Sequence, residues 1–240
     1  MKQFTFIILH GWGLSAEKFQ NLAGDLKNQR HRVFVPDLPG FGLSKQPDKP
    51  LVLSDYVDFL HTYIQQNSIV RPILLGHSFG GRVALKYQFV YPKEVRALIL
   101  TGTPGVTPVA KKKIFVFILF AKLGKLIFSI PPFSFIQEKI RAWYYYIAGA
   151  RDYYRASPVM RKTFKNIVQE DLMAYMKSLH VPCLLCWGQD DIITPVWIAR
   201  RMAEIISNAD LMIIPDTDHG VSYKRPELFV STIREFLKQL

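Results

Sequence analysis

Short apolar runs alternate with helical patterns along most of the chain. Six runs of four to six residues, bounded by Gly, Pro or Asp, have the character of buried strands. They are Thr5 to Leu9, Arg32 to Val35, Pro72 to Leu75, Arg96 to Leu100, Pro182 to Trp187 and Leu211 to Ile214. Apolar residues recur at helical spacing after Ser54, a predicted N-cap, and from Gly81 to Val90, where Pro92 follows. This alternation predicts an α/β fold with a mostly parallel sheet flanked by helices on both faces.

One region breaks the alternation. From Val106 to Ser178 the chain shows long helical patterns rich in aromatic and basic residues, with no strand between them. We interpret residues 106–178 as an inserted helical cap. The core would then consist of residues 1–105 and 179–240.

The composition is that of a globular chain with one large core, since 49% of the 240 residues are hydrophobic and 21% are charged. The apolar run near Met1 is short for a signal peptide, and the chain has two cysteines. These features predict a cytoplasmic protein. Cys183 and Cys186 fall in one predicted strand, where their Cα atoms would be about 10 Å apart. We therefore expect two buried thiols rather than a disulfide.

A single serine stands among glycines in Gly76-His77-Ser78-Phe79-Gly80, between a predicted strand and a predicted helix. This is the pattern of a nucleophile elbow, a turn so sharp that the positions two before and two after the serine carry almost no side chain. A serine hydroxyl is a poor nucleophile at neutral pH. It needs a base, a group that orients the base, and donors for the oxyanion that forms on the substrate.

Five motifs, each after a predicted strand, carry a resemblance to a known family. They are His10-Gly11-Trp12-Gly13, Asp37-Leu38-Pro39-Gly40-Phe41-Gly42-Leu43-Ser44, the serine elbow, Gly188-Gln189-Asp190-Asp191 up to Pro195, and Asp218-His219-Gly220. With these five motifs in this order, the chain resembles the α/β-hydrolase fold serine hydrolases. The resemblance implies Ser78 as nucleophile and His219 as base. It also implies Asp191 as the acid, because this residue stands three after the glycine and four before the proline, which leaves Asp190 as a solvated or loop-capping carboxylate.

The resemblance also implies an oxyanion hole formed by the backbone N–H groups of Trp12 and Phe79, with their side chains lining the substrate pocket. By the same resemblance, His10 supports its loop. Family members usually begin with an antiparallel hairpin. Here the first predicted strand starts within a few residues of Met1, so we expect this hairpin to be missing. We predict no cofactor and no metal, because the remaining histidines have no ligand partners at metal-binding spacing. These are His31, His61, His77 and His180.

Most of the formal net charge of +12 falls in the predicted cap, which holds thirteen basic and four acidic residues. Its apolar stretch from Ile114 to Ala121 is much shorter than the roughly 20 residues that span a bilayer. Two interpretations remain: a helix that packs on the core and lines the pocket, or one that also associates weakly with an anionic membrane surface. We expect no nucleic-acid partner, because no nucleic-acid-binding motif accompanies the charge.

These features predict an enzyme that cleaves carboxylic esters of short to medium acyl chain through an acyl-enzyme. Two alternatives remain. The same three residues could act on lactones, thioesters or carbon–carbon bonds, or in perhydrolysis. The chain could instead be a small-molecule receptor on a hydrolase scaffold. Nothing in the sequence indicates an oligomeric state.

Overall fold

The structure, a computed structural model, describes residues 2–106 and 156–240. Its strands are β1 (Thr5–Leu9), β2 (Arg32–Phe34), β3 (Ile73–His77), β4 (Ala97–Thr101), β5 (Cys183–Gly188) and β6 (Ala209–Ile214). Its α-helices are α1 (Gln20–Asn28), α2 (Leu53–Gln66), α3 (Phe79–Val90), α4 (Pro158–Gln169), α5 (Met173–Lys177), α6 (Val196–Ile205), α7 (Val221–Lys224) and α8 (Pro226–Gln239). A 3₁₀ turn, Ala16–Phe19, precedes α1.

All six strands run parallel in the order β2-β1-β3-β4-β5-β6, and β2 forms one edge of the described sheet. The prediction of an α/β fold with a mostly parallel sheet is confirmed. The serine elbow follows β3, which lies inside the sheet. The carboxyl ends of parallel strands meet at one edge of the sheet, so the loops after β1, β3, β4, β5 and β6 come together there.

Both faces of the sheet are covered, which explains why the strands read as continuous apolar runs. In β1, Ile7 and Leu9 join one core cluster, while Phe6 and Ile8 join the cluster on the opposite face. The first cluster includes residues of α2, α3, α5 and α6. The second includes residues of α1 and α8.

Two local predictions can be compared with the structure. The prediction of Ser54 as N-cap is wrong: α2 begins at Leu53, and the carboxylate of Asp55 accepts a hydrogen bond from the N–H of Val52 at 2.6 Å. The Asp55 side chain satisfies this N–H from the N3 position, so the N-cap is Val52, two residues before Ser54. The prediction for Cys183 and Cys186 is confirmed, since both are unpaired, buried residues of β5.

The end of the predicted cap lies within the described residues. Here α4 and α5 bury Met160, Ile167 and Met176 in the same core cluster as β3 and α3. The predicted apolar helix and the basic residues before 156 lie outside the described residues. Among the helices of residues 2–106 and 156–240, none has the length and apolar character needed to cross a membrane.

Candidate active site

Ser78 lies between β3 and α3 with a backbone φ of 52° and ψ of −111°. A positive φ is uncommon for a residue other than glycine and marks a strained turn. The N–H of Ser78 donates to the carbonyl of Thr101 at 2.9 Å, and its own carbonyl accepts from the N–H of Gly81 at 3.1 Å. These bonds hold the half-buried side chain at the carboxyl edge of the sheet.

The glycines around Ser78 are required by close backbone approach. A Cβ at Gly76 would lie 2.5 Å from the Cα of Gly81, and one at Gly80 would lie 2.1 Å from the carbonyl oxygen of Leu9. Both distances are shorter than any carbon can tolerate against backbone atoms. The sequence-based explanation of these glycines is confirmed, and the turn is locked against the end of β1.

Asp191 and His219 form a direct pair. His219 Nδ1 lies 2.8 Å from Asp191 Oδ2, and the Asp191 side chain is almost wholly buried. The other Asp191 oxygen accepts from the N–H groups of Ile193 at 2.9 Å and Thr194 at 2.8 Å, while the Thr194 hydroxyl donates to Oδ2 at 2.8 Å. A carboxylate with four donors keeps one orientation, so it fixes the Nδ1–H tautomer of His219 and leaves Nε2 as the acceptor.

The ring of His219 lies next to the elbow. A Cβ on Gly102, which has a φ of 57°, would lie 2.6 Å from His219 Cε1, so the ring rests on this glycine directly after β4. The centroids of the His219 and His77 rings are 4.8 Å apart. In the described part of the chain His219 forms its hydrogen bonds through Nδ1, and Nε2 makes none to Ser78. Such a bond often tightens only once substrate is bound.

The two neighbouring carboxylates differ in environment. Asp190 is exposed, whereas Asp191 is buried and faces His219. The geometry therefore favours Asp191 as the partner of the histidine, in agreement with the spacing in the sequence.

His10 is hydrogen-bonded within the loops beside the elbow. Its Nδ1 lies 2.8 Å from the carbonyl of Gly11, and its Nε2 accepts from the N–H of Leu38 at 2.9 Å. Burial lowers the pKa of His10, partly offset by the hydrogen bond to Gly11 and by Asp37. Asp37 in turn accepts from the N–H groups of Ala16 and Leu43. Both side chains therefore hold the loop after β1, and for His10 this is the structural role that we expected.

Trp12 and Phe79 are the two residues predicted to supply the oxyanion hole. Phe79 is the first residue of α3, where helical geometry leaves the N–H without a partner in its own helix. Trp12 lies in the turn closed by the bond from Leu14 N to Gly11 O at 3.2 Å. The centroids of the two aromatic rings are 5.7 Å apart. The side chains of the two residues predicted to supply the oxyanion donors are thus in contact.

An aromatic cluster and a pocket extend from Trp12. The Trp12 ring packs edge-on against Phe41 at 4.9 Å and Phe164 at 5.0 Å between centroids. A pocket of about 350 Å³ opens beside it. Its lining consists of Trp12, Gly13, Gly40, Phe41, Gln46, Ala156, Ser157 and Met160. Trp12, Phe41, Ala156 and Met160 make part of this surface apolar, which suits a hydrophobic substrate group.

Burial, with smaller contributions from His219 and His10, holds the pKa of His77 well below its usual value. A neutral ring therefore lies beneath the active-site histidine. Across the described residues, no group of three or more His, Cys, Asp or Glu side chains is arranged to hold a metal ion.

Sequence reasoning missed two residues of this site, Thr194 and Gly102. Thr194 binds Asp191 and could have been found from its spacing, since a threonine three residues after an aspartate often closes a local turn. Gly102 carried no such signal, because its role depends on a histidine that lies 117 positions later in the chain.

The chain is similar to known proteins over nearly its whole length. The chain is 27% identical to a putative esterase/lipase 2 of Mycoplasma genitalium, over 98% of this chain and 90% of that protein. It is 26% identical to a pimeloyl-[acyl-carrier protein] methyl ester esterase of Wigglesworthia glossinidia brevipalpis, over 98% and 94% of the two chains.

The fold is also similar to that of solved structures. A thermophilic esterase from Thermogutta terrifontis superimposes with a TM-score of 0.72 at 22% identity, covering 98% of this chain and 90% of the other. Residues 6–232 match the family described as the alpha/beta hydrolase family. The protein therefore belongs to the alpha/beta hydrolase family.

Proposed function

We propose that the protein is a serine hydrolase that cleaves carboxylic esters of short to medium acyl chain through an acyl-enzyme. The observation that carries this proposal is the 2.8 Å bond between Asp191 and His219 beside a serine at a strained elbow. A base whose tautomer is fixed by a buried carboxylate is what a serine hydroxyl needs to become nucleophilic. The relatives described as esterases support the same chemistry.

In the first half of the reaction, Ser78 Oγ attacks the ester carbonyl carbon and gives its proton to His219 Nε2. The tetrahedral oxyanion accepts hydrogen bonds from the N–H groups of Trp12 and Phe79. His219 then returns the proton to the alkoxide as the carbon–oxygen bond breaks. The alcohol leaves, and the acyl group stays on Ser78.

Water completes the cycle. His219 Nε2 takes a proton from the water as its oxygen attacks the acyl carbon, and the same proton passes to Ser78 Oγ as the acid departs. Asp191 remains ionised throughout and stabilises the imidazolium that forms twice. Every group that reacts in these steps belongs to the chain, to the ester or to water. The proposed reaction therefore uses no cofactor.

The acyl group would occupy the pocket beside Trp12. Each methylene buried there contributes about 0.8 kcal/mol, or roughly fourfold in kcat/KM. With Met160 and Phe41 in its lining, the pocket holds a chain of limited length. The rate should rise from acetate to a short or medium acyl group and then fall.

Hydrolysis of p-nitrophenyl esters from acetate to laurate tests the proposal. Ser78→Ala should lower kcat by about 10⁴- to 10⁶-fold, because the nucleophile and base act as a unit. Retention of most ester hydrolysis by this variant would refute the assignment. A profile flat from acetate to laurate would refute the pocket.

The same purified protein separates the alternatives. Lactones, thioesters, a substrate with a cleavable carbon–carbon bond, and an ester with hydrogen peroxide are assayed in parallel with the ester series. A kcat/KM higher for one of these classes than for every ester would replace the ester assignment. Release of one product molecule per protein, without further turnover, would indicate a receptor.

A further inference from the structure

Arg82 is a buried cation in the helix that begins beside Ser78. It lies on α3 and is only 6% exposed. Its Nη1 donates to the carbonyl of Pro104 at 2.8 Å, and its Nη2 donates to the carbonyls of Ile167 at 2.7 Å and Glu170 at 2.6 Å. We call Arg82 with these three carbonyls the Arg82 cluster. One side chain of the nucleophile helix thus holds the segment after β4 and the end of α4.

The carbonyls from α4 belong to its carboxyl end. The last carbonyls of any helix lack partners within that helix, and a cation there also interacts favourably with the helix dipole. The last turn of α4 has no basic residue of its own. Arg82 supplies the missing charge and donors from a different helix. The end of α4 is therefore capped by α3.

A second contact joins the same two helices. Lys86 Nζ lies 2.6 Å from Glu170 Oε1, and the hydroxyl of Tyr175 donates to the same oxygen at 2.7 Å. The lysine and glutamate side chains are only 12% and 22% exposed, so solvent screens this pair less than a surface pair. Lys86 stands one helical turn after Arg82. Together the two residues fix the end of α4 on one face of α3.

The first half of α4 extends to the pocket beside Trp12, and we call its residues Met160 and Phe164 the wall. Met160 lines the pocket, and its methyl group lies so close to Gly40 that a Cβ there would be 2.6 Å away. One turn later, Phe164 packs against Trp12. Because a helix is stiff, a bond at Ile167 also sets where Met160 and Phe164 lie.

We propose that Arg82 is a positioning residue that holds the Met160 and Phe164 wall at a fixed distance from Ser78 and thereby sets which esters are accepted. The inference rests on the proposed ester hydrolysis. An apolar side chain of similar size would fill this space without the cost of desolvating a guanidinium, whereas three directional bonds specify one placement of α4.

The charge of Arg82 persists under the conditions in which the site would operate. Burial lowers the pKa of Arg82 to about 10, and Glu170, Asp171 and Tyr175 act in the opposite direction. The guanidinium therefore stays protonated at neutral pH and keeps all its donors.

The test uses Arg82→Met, Arg82→Lys and Glu170→Gln, with Arg234→Met on the exposed face of α8 as matched control. Glu170→Gln keeps the backbone carbonyl that Arg82 binds and weakens the ion pair with Lys86. This variant provides a second test if Arg82→Met does not fold. Each variant is measured by hydrogen exchange of the α4 amides and by kcat and KM for p-nitrophenyl acetate and hexanoate.

We expect faster exchange in α4 for Arg82→Met, with β3 and β4 unchanged. Misplacement of the wall by about 1 Å should raise KM for hexanoate about 10- to 100-fold, while KM for acetate, with a single carbon beyond its carbonyl, should change little. Arg82→Lys should recover part of the loss, Glu170→Gln should show a smaller change in the same direction, and Arg234→Met should behave as wild type.

Three outcomes decide between the explanations. Unchanged exchange in α4, or an equal loss for acetate and hexanoate, would overturn the role of Arg82 in selecting the ester. A loss confined to kcat for both esters would indicate damage to the elbow instead. If the wild-type protein hydrolyses no ester, the proposed function fails, and the exchange measurement alone still decides whether Arg82 holds α4.

Discussion

Asp191 Oδ2 lies 2.8 Å from His219 Nδ1, while the adjacent carboxylate, Asp190, is exposed to solvent. Asp191→Asn should therefore lower kcat by about 10²- to 10⁴-fold, because the amide can stabilise the wrong tautomer of the histidine. Asp190→Asn changes the same charge at the next position and is the matched control. Steady-state kinetics on one ester checks both variants, and a larger loss for Asp190→Asn would mean that the acid was misassigned.

The contact between Gly102 and His219 gives a second prediction. An alanine Cβ at Gly102 would meet the His219 ring at 2.6 Å and would also be strained by the φ of 57°. Gly102→Ala should displace the ring and reduce both kcat and the melting temperature. The control is Gly24→Ala in α1, where nothing lies within 4 Å of the new Cβ.

Gly24→Ala should leave kcat unchanged and stabilise the fold by about 0.5–1 kcal/mol, because alanine is the better helix former. An unchanged kcat in Gly102→Ala would show that the position of the His219 ring does not depend on its contact with Gly102. Thermal denaturation and ester kinetics on the same preparations give both results.

Three buried histidines predict how stability depends on pH. Burial lowers the pKa of His10 and of His31 and lowers that of His77 much further, so all three rings bind fewer protons in the folded state than in the unfolded state. Above about pH 6.5 these histidines are neutral in both states and make their full contribution to the free energy of unfolding. This contribution is lost as the pH falls below that value, by up to about 1.4 kcal/mol per pH unit for each histidine.

Urea unfolding between about pH 7.5 and pH 5 measures this effect. His77→Asn removes one of the three groups, so the stability of this variant should fall less steeply with decreasing pH than that of the wild type. Carboxylates contribute equally to both proteins and cancel in the comparison. Parallel curves would mean that His77 is protonated without cost in the folded state.

The pocket predicts a change in substrate length. Met160→Ala removes most of a side chain from the wall beside Gly40, which should move the preferred acyl chain to one or two more methylenes. Each added methylene should then gain about fourfold in kcat/KM. Val168→Ala, at an exposed position of the same helix, should leave the preference unchanged. An unchanged optimum in Met160→Ala would place the acyl chain elsewhere.

The sequence was sufficient for the features that depend on local pattern. Strands of a parallel sheet are buried on both faces, so they could be recognised as apolar runs. The glycines of the elbow could be explained from the sequence pattern alone, because the sharp turn excludes side chains at these positions. The start of α2 was mistaken by two residues, since the observed N-cap is Val52 and not Ser54. Two polar side chains, Ser54 and Asp55, compete for the cap. Local pattern does not reveal which of them reaches the N–H of Val52.

Contacts between distant segments could not be predicted in this way. Arg82 binds a carbonyl 85 positions later in the chain, and nothing near Arg82 in the sequence indicates that partner. Gly102 and Phe164 acquire their roles from His219 and Trp12 in the same manner. The roles of such residues can be recognised only in the folded structure, where the sheet brings the loops together.

The most direct test of the catalytic assignment is covalent labelling of Ser78. A serine-directed fluorophosphonate should add one adduct per chain, located at Ser78 by peptide mass spectrometry, with loss of ester hydrolysis in proportion to labelling. His219→Ala should react far more slowly, because the hydroxyl then lacks its base. Full ester hydrolysis by protein that carries the adduct, or loss of activity with the adduct on another residue, would contradict the assignment.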